Sequence, residues 1–215
     1  MDADEFWALI DGSARQVAGR NEHAGLDERG GPDLRAALDE RAEWLTEALS
    51  RRSPEEIIGF QIRRAEVKKA ADTWPMWGAA YLIADGWCSE DVFWYFQSWL
   101  ISLGRETFER VTAEPDLLAD VPAVLRQLDG EDDEWEEPQW EVLDYVAERA
   151  YERVTGEEDG LANALWRRGI DLAVNPEPPD DGLPGGQAER AGRLPRLSRL
   201  FPNQQLASPT PIVEK

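Results

Sequence analysis

The stretch WPMWGAAYLIADGWCSEDVFWYFQSWL, residues 74–100, holds five of the chain's ten tryptophans and limits its folding more than any other segment. From Met76 to Ala84 it shows only Met, Trp, Gly, Ala, Tyr, Leu and Ile. Pro75 suits the first turn of a helix there, and a helix that is apolar all round is a buried one. The uncharged run from Trp74 to Ala84 is 11 residues, against about 20 for a membrane-spanning helix. The stretch therefore predicts a protein core and no membrane segment. After the turn at DGWCS, Ser89 can cap a helix that Gly104 stops in a left-handed conformation. Projected at about 100° per residue, positions 89–103 put Val92, Phe93, Phe96, Trp99, Leu100 and Leu103 on one arc. Trp94 and Ile101 form a second ridge beyond Gln97, while Asp91, Tyr95, Ser98 and Ser102 form the polar remainder.

The other segments read as helices too. Phe6, Ile10, Ala14 and Val17, with Trp7 at their edge, recur at helical spacing over residues 3–18. GRNEHAGLDERGGPD follows as a glycine-rich loop, and Leu34, Leu38, Leu45 and Leu49 mark a second helix. Ser53, Pro54 and Glu56 make a capping box for a third, carrying Ile57, Phe60 and Val67. Short pieces over 105–112 and 116–128 are broken at Pro115 and Pro122. Pro138 opens a helix predicted to run to Val154, with Trp140, Leu143, Ala147, Ala150, Tyr151 and Val154 on one side, and another spans about 160–173. No segment alternates as a strand does. The expected fold is all-α: a single compact helical domain of seven or eight short helices over residues 1–174, a Pro/Gly-rich flexible linker over 175–192, and a C-terminal tail over 193–215.

In that tail Leu194, Leu197, Leu200 and Phe201 form an apolar set among Arg190, Arg193, Arg196 and Arg199. The four arginines outweigh Glu189, giving residues 187–201 a net charge of +3. The whole chain is at −21. A basic amphipathic segment tethered to an acidic body is expected to dock in cis, on tail residues Leu194, Leu197, Leu200 and Phe201. The same acidity repels nucleic acid phosphate and anionic lipid, so neither is expected as a partner.

Catalytic motifs are scarce. Cys88 is the one cysteine and His23 the one histidine, which leaves no cysteine–histidine metal set and no intramolecular disulfide. No apolar run follows the opening MDADEFWALIDGSAR, so a cytoplasmic protein is expected. A calcium-loop template laid from Asp129 fails, because Glu134 stands at the glycine position and Trp140 at that of the bidentate Glu. No phosphate-cradling glycine motif or nucleophile elbow occurs. What remains is a carboxylate and arginine group beside the aromatics: Trp87, Asp91, Trp94, Ile101, Arg105 and Glu106 as a candidate ligand or partner site, with no cofactor or metal expected.

Residues 77–120, WGAAYLIADGWCSEDVFWYFQSWLISLGRETFERVTAEPDLLAD, with the opening DEFWALID, carry many unusual residues at fixed spacing. These are Phe6 and Trp7; Trp77, Ala79, Ala80 and Tyr81; Cys88, Ser89 and Asp91; Phe93, Phe96, Trp99, Leu100 and Ile101; and Gly104, Arg105, Glu106 and Phe108. In this pattern the chain resembles the bacterial domain of unknown function 4240 family over residues 3–155. It departs from that pattern in GRNEHAGLDERGGPDLR and at Trp87, where a small residue is expected. The resemblance implies the family's fold and supplies no catalytic residue. The expected function is a non-catalytic protein-interaction or regulatory module, engaging an unknown protein partner or its own tail. Two alternatives stand beside it: a small-molecule binder or enzyme using the aromatic pocket, and an acidic antitoxin-like decoy for a basic partner.

Overall fold

A computed structural model describes residues 1–20, 34–84, 86–128, 138–172 and 192–202. All of the regular structure among them is helical: α1 (Ala3–Arg20), α2 (Leu34–Ser50), α3 (Pro54–Ala70), α4 (Trp74–Ile83), α5 (Glu90–Ser102), α6 (Arg105–Ala113), a 3-10 helix (Pro115–Asp120), α7 (Pro122–Leu128), a second 3-10 helix (Glu141–Tyr145), α8 (Val146–Thr155), α9 (Gly160–Trp166) and the single turn α10 (Leu197–Leu200). None of these helices is long and apolar enough to cross a membrane. The histidine loop, the acidic run at 129–137 and the linker as far as 191 lie outside the described residues.

Local chemistry explains where the helices begin and end. Ser53 and Glu56 exchange bonds as a capping box: the Ser53 N–H donates to Glu56 Oε2 at 2.9 Å and the Glu56 N–H to Ser53 Oγ at 3.4 Å. Thr73 accepts from the Met76 N–H ahead of α4, and Ser89 accepts from the Val92 N–H at 3.3 Å ahead of α5. Gly104 separates α5 from α6 at φ +84°, a conformation that costs a side-chain-bearing residue dearly.

Two helices differ from expectation. The segment after Pro138 does not enter a regular helix until Val146. The Trp140 indole N–H is tied to the Leu38 carbonyl at 3.0 Å, and the Leu143 carbonyl accepts from the Arg64 guanidinium at 3.2 Å. These long-range bonds hold residues 141–145 as a tighter 3-10 turn. Similarly, α9 stops at Trp166 and not near 173. The Ile170 N–H returns to the Leu165 carbonyl and the Gly169 N–H to that of Trp166, with Gly169 at φ +69°. That is a Schellman stop.

The described residues fall into two compact units. One draws on Met1–Lys69, Gln97–Phe108 and Gln139–Val174, the other on Ala70–Phe96, Glu109–Pro138 and Asn175–Lys215. In the first, α2 packs against both α1 and α8, and α8 against α9. Its aromatic centre joins Phe6 to Phe60 at 5.2 Å and Trp7 to Phe108 at 5.3 Å between ring centroids. In the second, the 3-10 helix Pro115–Asp120 packs against α4 and α7, and α10 packs against α4 and that same 3-10 helix. Trp77 stacks on Phe93 at 3.9 Å, and its indole N–H donates to Asp72 at 3.1 Å. Most of the tryptophan-rich stretch is therefore core, as the all-round apolar character of α4 requires.

Candidate functional site

The residues singled out from the sequence are divided between the two units. Trp87, Asp91 and Trp94 belong to the second, and Ile101, Arg105 and Glu106 to the first. Trp87 is 62% exposed, beyond the α4 turn, and Asp91 is exposed while Trp94 is half-buried. Ile101 is fully buried, which makes it a core residue of its unit. Arg105 reaches Asp4 on α1 at 2.5 Å, a surface ion pair that ties α6 to the N-terminal helix. Cys88 is half-buried, and its thiol donates to the Ser89 carbonyl at 3.7 Å. Among the described residues no group of three or more His, Cys, Asp or Glu could hold a metal ion.

A polar cluster that sequence reading missed lies inside the first unit. Ser98 and Gln97, which the helical projection left outside the apolar arcs, are both buried. Lys68 explains why: its ammonium donates to Ser98 Oγ at 3.0 Å and to Asp144 Oδ1 at 3.1 Å, and its backbone carbonyl accepts from Gln97 Nε2 at 3.1 Å. Arg64, one turn earlier on α3, pairs with the same Asp144 oxygen. Two cations thus share one carboxylate in a water-poor interior. Burial pushes Lys68 down from 10.5 to about 7, against the pull of Asp144 and with the help of neighbouring Arg64. Burial likewise lowers Arg64. A near-neutral lysine beside a serine hydroxyl is the arrangement that activates a nucleophile. Here Ser98 has no exposed surface, so no substrate reaches it, and the cluster binds α3, α5 and the second 3-10 helix together.

Arg41 forms a comparable clasp. It donates to Ser13 Oγ at 3.1 Å and to the Ser102 carbonyl at 2.9 Å, and its guanidinium lies 4.8 Å from the Trp140 ring centroid. Burial takes it down to about 10, opposed by Asp11, so it remains charged at neutral pH.

The second unit holds the most ligand-like arrangement, and its occupant is the chain's own C-terminal segment. Leu194, Leu197 and Phe201 are buried and Leu200 is half-buried, against α4 and the 3-10 helix. Asp116, itself 6% exposed, spends both carboxylate oxygens on α10. The Arg196 N–H donates to them at 3.0 and 3.1 Å, and the Leu197 N–H donates to Oδ1 at 3.0 Å. The carboxylate so satisfies N–H groups that a helix start leaves without intrahelical partners. One turn on, Asp120 takes the Arg196 guanidinium through both oxygens, one contact at 2.8 Å. That hydrogen bond holds the Asp120 carboxyl below its ordinary value and raises Arg196.

A family model described as "Protein of unknown function (DUF4240)" matches residues 1–153. The chain belongs to this family. The DUF4240 span contains α4, the 3-10 helix with Asp116 and Asp120, and the whole Lys68–Ser98–Asp144 cluster. The α10 segment, at residues 192–202, lies beyond that span. No curated protein and no solved structure matches the chain.

Proposed function

We propose that this DUF4240 protein is a non-catalytic interaction module whose binding face is built by α4 and the 3-10 helix Pro115–Asp120, and whose own residues 192–202 occupy that face. The observation that carries this reading is Asp116, a nearly buried carboxylate that accepts two successive backbone N–H groups from a segment some 80 residues away in sequence. Surface tails that merely rest on a body do not recruit a buried charge, because desolvating it costs free energy unless the partner is specific. The apolar spacing of Leu194, Leu197 and Phe201 supports the same reading, since it places one face of a short helix inward. The net charge of −21 favours a basic protein partner over nucleic acid or membrane. A single cysteine is consistent with a reducing compartment such as a cytoplasm.

Leu197→Asp in the full chain tests this. It places a charge where the structure has a fully buried leucine, and should free the segment. An apolar dye should then bind more strongly to the variant than to the unaltered protein. Unchanged dye binding together with an unchanged melting temperature would refute docking.

A further inference from the structure

The face and its occupant have different origins in the sequence. The two elements against which α10 packs, α4 and the 3-10 helix, lie within 74–120, inside the DUF4240 span that ends at 153, while the occupant begins near 192. The face also recognises its occupant by features that any short helix of the right chemistry would present. Asp116 reads backbone N–H groups at a helix start, which carry no side-chain identity. Asp120 asks for one arginine beside that start, and the apolar surface asks for residues at the spacing of Leu194, Leu197 and Phe201.

Resting on the function proposed above, we infer that this face is a receptor for a short basic amphipathic helix of a separate protein, with residues 192–202 acting as a competitor in cis. The partner's motif would carry an apolar residue, an arginine two positions on, a leucine immediately after it, and an aromatic or leucine four positions further, entering with its helix start toward Asp116. The cis segment is basic and the body acidic, so a partner that displaces it must offer the same sign of charge. Tethering raises the effective concentration of the cis segment to about millimolar. A trans helix of equal intrinsic affinity is therefore held off until it is abundant or better matched.

The test uses a fluorescent synthetic peptide with the sequence of residues 192–202 and the full-length chain throughout. In fluorescence anisotropy, the Leu197→Asp chain, whose own segment no longer fits, should bind the peptide at least tenfold more tightly than the unaltered chain. A control peptide carrying the same Leu→Asp change should not bind. Adding Asp120→Asn to the Leu197→Asp chain should weaken peptide binding by about two- to fivefold, the range of an exposed ion pair, and the loss should shrink in high salt. Asp120 is well exposed, so this variant keeps the fold even if Asp116→Asn, which should abolish binding, does not. Equal affinity of the unaltered and Leu197→Asp chains, or no binding to the latter, overturns the competitor inference. Docking in cis is judged separately, from the amides of Arg196 and Leu197 in the unaltered chain. If they are protected, the proposed face stands without the trans partner; if they are not, both readings fall.

Discussion

Replacing Lys68 by methionine should flatten the pH dependence of stability in a defined window. Lys68 is almost wholly buried and shares Asp144 with Arg64. Burial lowers it from 10.5 to about 7. Below pH 7 the lysine is protonated in both the folded and unfolded chains, and the folded chain bears the full cost of the buried charge. Between 7 and 10.5 the unfolded chain holds a proton that the folded chain has released, so stability rises with pH. At roughly 1.4 kcal/mol per pH unit the full window is worth at most about 5 kcal/mol, and the step from pH 7 to 9, which starts with the folded lysine half deprotonated, about 2 kcal/mol. Urea unfolding of the unaltered protein and Lys68→Met, at pH 6, 7, 8 and 9, measures this. The unaltered protein should gain about 2 kcal/mol on the variant between pH 7 and 9. Curves that stay parallel to within about 1 kcal/mol would refute the claim that burial lowers Lys68.

Two other substitutions probe the fold. Gly104→Ala should lower stability by about 1–2 kcal/mol, read from thermal melts, because φ there is +84° and the new Cβ would sit 3.3 Å from Asp11 Oδ1. Trp166→Ser should change stability by less than about 0.5 kcal/mol in the same assay, since that indole is 80% exposed at the end of α9. A large loss at Trp166 would mean that the indole is covered in solution.

What could be read from the sequence was what neighbouring residues decide among themselves. The Ser53–Glu56 box, the Ser89 cap and the Gly104 stop each depend on a few adjacent positions, and each appears where its residues stand. Of the predicted arc, Phe93, Phe96, Trp99 and Leu100 are buried, since one helical period aligns them, while Val92 and Leu103 at its ends are half-buried. Burial of polar groups follows different rules. Ser98 looks like a solvated position until Lys68 and Asp144, distant in sequence, are brought to it. Arg41 reads as one charge among many on α2, yet it joins Ser13, Ser102 and Trp140. The 3-10 turn at 141–145 has the same kind of cause, in the bond from Trp140 to the Leu38 carbonyl and the bond from Arg64 to the Leu143 carbonyl. At the C-terminus, the apolar spacing of Leu194, Leu197 and Phe201 was visible, whereas Asp116 carries no local mark that it receives a helix start, nor Asp120 that it pairs with the Arg196 guanidinium.

Residue-resolved amide hydrogen exchange on the full-length chain tests the occupied face most directly. The N–H groups of Arg196 and Leu197, which donate to Asp116, should exchange at least tenfold more slowly than in a free peptide of the same sequence, and Leu197→Asp should restore the free rate. Free-peptide rates at both amides of the unaltered chain would contradict the docking of this segment and the function built on it.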